Sequence, residues 1–278
     1  MLKYCEDVNS FPTSAWLLSL PVSLAALLVL LAVTFLIGVR QRRHVVIDAA
    51  WGLGFVVVAL AAFAQSASSG DGGRRILLLV LTALWGLRLA GYLVRRMRDG
   101  HEDPRYDALL AASGGARGSR ARNLYAIRRV YLPQAVVLFL VSMVQQVGMF
   151  ETGGLTWVAW LGVLVWAVGL FFEAAGDWQL ARFRADASKR GSILGGGVWA
   201  WTRHPNYFGD SAVWWGLFLV TASSWPGLVT VLSPVLMTWA LVARTGKALT
   251  EKRMTGRPGY AEYVARTSGF FPRPPRRL

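Results

Sequence analysis

Gly195-Gly-Gly-Val-Trp-Ala-Trp-Thr-Arg-His-Pro-Asn-Tyr-Phe-Gly-Asp-Ser-Ala-Val-Trp-Trp215 runs from a glycine turn, through a basic and aromatic segment, into an apolar run. Pro205 suits the first turn of a helix, because its missing N–H is not needed there. Asn206 and Asp210 then lie one turn apart inside the apolar run, and Tyr207, Asp210 and Trp214 recur at spacings of three and four. A Pro-initiated helix with interfacial aromatics accounts for Trp201, Pro205 and Tyr207. It does not account for Asn206 and Asp210, since polar groups inside a membrane helix need a partner or a ligand. The glycines permit close backbone approach to a ligand, and a helix start flanked by Arg203 and His204 suits an anion.

Working outward, the 278 residues are 54% hydrophobic, and the apolar residues form unbroken blocks. Blocks of about 20 residues read as membrane helices. Seven are expected, at 15–39, 45–65, 76–94, 130–149, 155–176, 207–223 and 226–243, which makes the chain an all-α polytopic membrane protein. The first is a true span and not a signal peptide: its apolar run is too long, and Arg40, Arg42 and Arg43 follow it. Segment 40–44 holds three basic residues, 95–129 nine, 182–203 five and the tail from Arg244 nine, which is 26 of 30. Alternate loops are therefore basic, which places the N-terminus outside and the C-terminus in the cytoplasm. The net charge of +15 is accordingly read as loops beside anionic lipid, with no nucleic-acid partner. Cys5 alone allows no internal disulfide, and His44, His101 and His204 lack metal-ligand spacing, so no metal is expected.

Other polar residues sit where apolar ones are expected. Asp48 opens the second span one turn inside, with Trp51 and Gly52 on its face. Trp85, Arg88, Tyr92 and Arg95 share a face of the third span. There Arg88 either snorkels to the basic end or pairs with an acid or a phosphate. A charged turn, Gly-His-Glu-Asp-Pro-Arg-Tyr at 100–106, precedes a Gly/Ser/Arg-rich linker, 113–122, read as a mobile loop. Gln145 and Gln146 are read as a helix end reaching water. Glu173, Asp177 and Arg184 share one helix face, as an ion pair or as a polar wall beside 195–215. Glu251 falls in a short helix, Tyr260 and Tyr263 can pack back on the bundle, and the final Arg-Pro-Pro-Arg-Arg-Leu is read as a disordered basic end.

Taken in order, Arg-His-Pro-Asn-Tyr-Phe-Gly-Asp at 203–210, Glu-x-x-x-Asp-x-Gln-Leu-x-x-Phe-Arg at 173–184 and the late Glu251 with Tyr260 and Tyr263 resemble the steroid 5-alpha-reductase-like membrane family. Asp-x-x-Trp-Gly at 48–52, Trp-Gly-x-Arg-Leu at 85–89 and Glu-Asp-Pro-Arg-Tyr at 102–106 resemble its bacterial branch, described as a domain of unknown function. The likeness covers nearly all of 40–272. It implies seven membrane helices in one transmembrane domain, with the substrate side in 15–149 and an NADPH-binding half in 155–272 that faces the cytoplasm of a bacterial inner membrane. It also implies that Asp177, Arg184, Asn206, Asp210 and Glu251 contact NADPH, with Arg88 reaching a phosphate or the nicotinamide side. Arg105, Tyr106, Trp201, Arg203, His204 and Tyr207 complete the implied cofactor set. Clustered arginines suit the phosphates of such a dinucleotide.

Where steroid reductases carry a Gln-Glu pair and a Tyr, this chain has Asp48 and Trp85, with Tyr92 a turn or two away; these three are the implied catalytic positions. Three functions follow as expectations. The first is an NADPH-dependent reductase of a double bond in an apolar, membrane-dissolved substrate, with Asp48 or Tyr92 stabilising or protonating an enolate. The second is an S-adenosylmethionine-dependent methyltransferase, because isoprenylcysteine carboxyl methyltransferases carry a similar Arg-His-Pro-x-Tyr-x-Gly segment and a late Glu. The third is a lipid-binding membrane protein without turnover.

Overall fold

The computed structural model describes residues 11–244 and 246–276; Lys3 and Cys5 lie outside them. The described residues are all-α, with one isolated bridge between Thr202 and Ser268. Among the described residues, six helical stretches are long and apolar enough to cross a membrane: Thr13–Gln41, Ile47–Gln65, Gly72–Arg96, Arg120–Gly148, Trp157–Ala185 and Trp225–Met254. Large apolar side chains along them, such as Leu18, Val29, Leu84 and Leu164, are exposed as lipid contact requires. The expected span at 207–223 is the helix Pro205–Thr221, of 17 residues. At 1.5 Å per residue it rises about 25 Å, short of a hydrocarbon core of about 30 Å.

The chain forms two compact units. The first, residues 1–156 with 221–230, contains α1 (Thr13–Gln41), α2 (Ile47–Gln65), α3 (Gly72–Arg96), α4 (Pro104–Ala111), α5 (Arg120–Ala126), α6 (Leu132–Val141) and α7 (Met143–Gly148). Close approach of α2 and α3 depends on two glycines. A Cβ on Gly52 would strike the Gly86 carbonyl, and one on Gly86 would lie 2.6 Å from the Gly52 carbonyl. Small residues serve this purpose in membrane helix pairs generally. The α5–α7 stretch is broken twice. Around Pro133, which has no N–H to donate, the helix widens so that Leu132 N–H reaches Ile127 O; at Ser142 it bends again.

Gln145 and Gln146 correct an expectation, since both are fully buried and neither reaches water. Gln146 Nε2 donates to Ser142 Oγ at 2.9 Å and Gln145 Nε2 to Thr82 Oγ1 at 3.4 Å. Polar partners inside the unit replace the solvent expected there. Arg74 and Arg75 are also buried at the start of α3. Arg74 donates to the carbonyls of Gly153 and Gly154 and to Ser223, and Arg75 to Ser66 Oγ and Phe63 O. The linker 113–122 is likewise more than a loop. Ser119 caps α5, and Arg117 and the buried Arg122 both pair with Asp107.

The second unit, residues 157–220 with 231–278, contains α8 (Trp157–Ala185), α9 (Val198–Trp201) and α10 (Pro205–Thr221). After α11 (Trp225–Val229), which belongs to the first unit, come α12 (Leu232–Trp239), α13 (Lys247–Met254) and α14 (Tyr260–Arg266). Glycines again set the crossing of α8 and α10. A Cβ on Gly162 would lie 2.6 Å from the Gly216 carbonyl, and one on Gly169 as close to that of Gly209. The expected disordered end is docked over 273–276: Arg273 N–H donates to Trp201 O at 3.0 Å and Arg276 N–H to Arg266 O at 2.9 Å. Backbone hydrogen bonds that a composition-based reading cannot see hold it.

Candidate functional site

In the first unit the polar residues converge on Asp48. Asp103 caps α4 and grips Arg105 in a bidentate pair at 3.0 and 2.9 Å. Burial works to raise the Asp103 carboxyl, but the Arg105 guanidinium and N–H hold it below the usual carboxylate range. Arg105 Nη2 also reaches Asp48 Oδ2 at 3.2 Å, and Tyr106 Oη lies 2.5 Å from Asp48 Oδ1.

The direction of that last hydrogen bond follows from its neighbours. Trp51 Nε1 can only donate, and it meets Gln134 Oε1 at 2.5 Å. The Gln134 amide therefore turns its NH₂ towards Tyr106 Oη, at 3.4 Å. Tyr106 Oη is thus an acceptor from Gln134, and its own proton goes to Asp48. Burial and the Asp48 carboxylate push the Tyr106 hydroxyl well above its ordinary range, so it stays protonated.

Glu102, beside this group, accepts the backbone N–H of His44 at 2.6 Å and of Val45 at 2.7 Å, closing the start of α2. His44, whose pKa burial lowers, lies between Asn123 at 3.1 Å and Tyr131 at 3.4 Å. Within Glu-Asp-Pro-Arg-Tyr at 102–106, Arg105 and Tyr106 thus contact Asp48, Asp103 holds Arg105, and Glu102 holds the start of α2. Trp85, Arg88 and Tyr92 lie on α3; Trp85 is buried against Phe55 at 5.7 Å, and Arg88 and Tyr92 are half-buried.

The second unit assembles the other group. Arg203 Nε and Nη2 grip Glu251 Oε1 at 3.0 and 2.8 Å, while Nη1 reaches Thr267 O at 2.8 Å. Lys247 Nζ lies 3.5 Å from Glu251 Oε2. His204 Nε2 meets Glu251 Oε1 at 3.2 Å, and its ring stacks on Tyr207. Burial lowers the His204 pKa to about 4, against the pull of Glu251, so the ring is neutral and carries its proton on Nε2. At the start of α10, Asn206 Nδ2 donates to the buried Asp177 Oδ1 at 3.3 Å.

The glycine turn rests on this group. Gly197, at φ 60°, lies over the Gln179 amide, and Gln179 Oε1 accepts Val198 N–H at 3.1 Å. Tyr263 packs back as expected, donating to Trp199 O at 2.7 Å. Glu173 is buried on α8, Asp210 is half-buried on α10, and Arg184 and Trp201 are exposed.

Of the expected cofactor set, Asp177, Arg203, His204, Asn206, Tyr207 and Glu251 are thus gathered in the second unit. Arg105 and Tyr106, in the first unit, contact Asp48. Sequence reading missed Gln134, Lys247 and Arg266. Gln134 is a polar residue one turn into a span, Lys247 lies four before Glu251, and Arg266 lies three after Tyr263 with its guanidinium beside Gly195.

Residues 34–267 match the family described as "Protein of unknown function (DUF1295)". The chain belongs to that family. No curated protein and no solved structure matches it. In this family member both groups lie within the matched residues, since Asp48 and Glu251 fall between 34 and 267.

Proposed function

We propose that this DUF1295 protein is an NADPH-dependent reductase of a carbon–carbon double bond in an apolar, steroid- or lipid-like membrane substrate. The observation that carries the reading is the convergence of Asp177, Arg203, His204, Asn206 and Glu251, scattered over 75 positions, around the first turn of α10. Such a set fits a dinucleotide in donors, acceptors and charge. The buried Asp177 and half-buried Asn206 offer a polar pair, Gly195 to Gly197 a close backbone approach, and Arg266 a cation for phosphate. Arg203 works from behind, tying α13 and the tail to α10. In this reading Pro205–Thr221 is a seventh membrane helix, the C-terminus is cytoplasmic, and the cofactor enters from that side.

Bound NADPH supplies a hydride; the protein supplies the rest. Tyr106 holds a proton at Oη, Gln134 and Trp51 orient that oxygen, and Asp48 receives the hydrogen bond. Arg105 Nη2, 3.2 Å from Asp48 Oδ2, anchors that carboxyl, and the proton that Tyr106 gives to the enolate of the reduced substrate is replaced from water. The test is NADPH consumption by the purified protein against a panel of conjugated lipid ketones. Wild type consumes NADPH with one member of the panel, and Tyr106→Phe lowers turnover about 10²-fold with NADPH affinity unchanged. Full turnover by Tyr106→Phe would remove Tyr106 from the chemistry.

A methyltransferase is the second reading, and one observation favours it. Arg203 is committed to Glu251 and to the Thr267 carbonyl, which leaves less positive charge for phosphates and suits a sulfonium cofactor better than the sequence alone implied.

A further inference from the structure

We infer that one end of the first unit is a docking surface for the headgroup of an anionic phospholipid. The arginines there divide into two kinds. Arg105, Arg117 and Arg122 are paired with Asp48, Asp103 or Asp107. Arg40, Arg42, Arg98, Arg128 and Arg129 are exposed and make no ion pair among the described residues.

The unpaired arginines belong to one place. Arg43 Nη1 donates to Met97 O at 2.9 Å, joining the end of α1 to the end of α3. Phe35 on α1 stacks edge-on to Tyr131 at 5.3 Å, and His44 meets Tyr131 as well, which brings the wide turn bearing Arg128 and Arg129 to the same end. A tight turn at Gly118, φ 82°, lays the linker against the Arg42 side chain.

What surrounds the charges decides the partner. Each arginine group borders exposed apolar side chains: Leu36 and Ile37 before Arg40, Val94 before Arg98, and Leu132 and Val136 after Arg129. A soluble polyanion has no use for that apolar border. A zwitterionic lipid has no net charge with which to neutralise five guanidinium groups. A ligand with an anionic phosphodiester at one end and acyl chains at the other fits both features, and guanidinium groups bind such oxygens in a bidentate fork.

The inference does not depend on the reductase reading and is tested apart from it. Full-length protein in a neutral detergent is exposed to phosphatidylglycerol or phosphatidylcholine, and retained lipid is counted by native mass spectrometry. Wild type is expected to retain phosphatidylglycerol about tenfold more than phosphatidylcholine. The quartet R40Q/R42Q/R128Q/R129Q loses that preference, and R40K/R42K/R128K/R129K keeps it. A control with the same charge change on exposed positions of the second unit, R190Q/K252Q/R253Q/R257Q, also keeps it. Equal retention of both lipids, an unchanged glutamine quartet, or equal loss in the control overturns the inference. Displacement of phosphatidylglycerol by an equal concentration of inorganic phosphate overturns it too, by showing a site for the free anion.

Discussion

At Nε2 of His204 the proton has one charged acceptor, Glu251 Oε1, and the ring is otherwise stacked on Tyr207 and faced by Arg203 and Lys247. Burial holds its pKa at about 4 against 6.5 in the free residue. Because the folded value lies below the unfolded one, the unfolded chain takes up the proton first as pH falls. Stability is therefore undiminished above pH 6.5 and declines towards pH 4, by on the order of 3 kcal/mol at 1.36 kcal/mol per unit. Melting temperature measured from pH 7 to 4 should fall more steeply in wild type than in His204→Asn, which has no imidazole to protonate. Parallel curves would show that other carboxyls carry the acid response. At this scale the sequence was partly legible. A carboxylate one turn into an apolar span leaves Asp48 either partnered or reaching the headgroups, and the partner that decides it, Tyr106, lies 58 positions away. Gln145 and Gln146 misled because their partners, Thr82 and Ser142, are ordinary hydroxyls that carry no signal in a sequence.

Between elements, glycine decides how closely helices approach. Gly52 and Gly86 meet backbone to backbone, whereas Gly91, also on α3, has nothing within 4 Å of where a Cβ would stand. Gly52→Ala should push α2 from α3 and cost about 1–3 kcal/mol, while Gly91→Ala should be neutral or slightly stabilising, since alanine favours helix. Thermal denaturation in detergent checks both; equal effects would mean that the α2–α3 contact does not limit stability. Existence and order of the helices were legible from apolar blocks of about 20 residues. Their ends were less so. The apolar span at 155–176 ends before its helix does: α8 runs to Ala185, as the shared face of Glu173, Asp177 and Arg184 requires, and Gln179, Leu180, Ala181 and Arg182 are good helix formers even outside an apolar environment. The breaks at Pro133 and Ser142 left no mark in hydropathy, although Pro133 alone pointed to one.

For the molecule as a whole, positive charge and apolar length together specify a membrane topology. In the topology we propose, the basic segments 95–129 and 182–203 lie on the cytoplasmic side and the turn between α2 and α3 on the other. With Cys5 replaced by Ser, Ser68→Cys should react with a membrane-impermeant thiol reagent in intact cells, and Ala187→Cys only after lysis. The reverse pattern would invert the chain and put the α10 group on the wrong side for a cytoplasmic cofactor. The division of the polar residues into a group around Asp48 and a group around Glu251 was only half legible. Motifs named most members, but only side-chain partners show that Arg105 and Tyr106 contact Asp48. The central claim, that the second unit binds NADPH, is tested by titrating purified protein with NADPH and with S-adenosylmethionine while following tryptophan fluorescence. NADPH should bind in the micromolar range, S-adenosylmethionine should not bind, and Asp177→Ala or Arg184→Ala should each weaken NADPH about tenfold. Binding of S-adenosylmethionine alone, or NADPH affinity unchanged in both variants, would contradict the account.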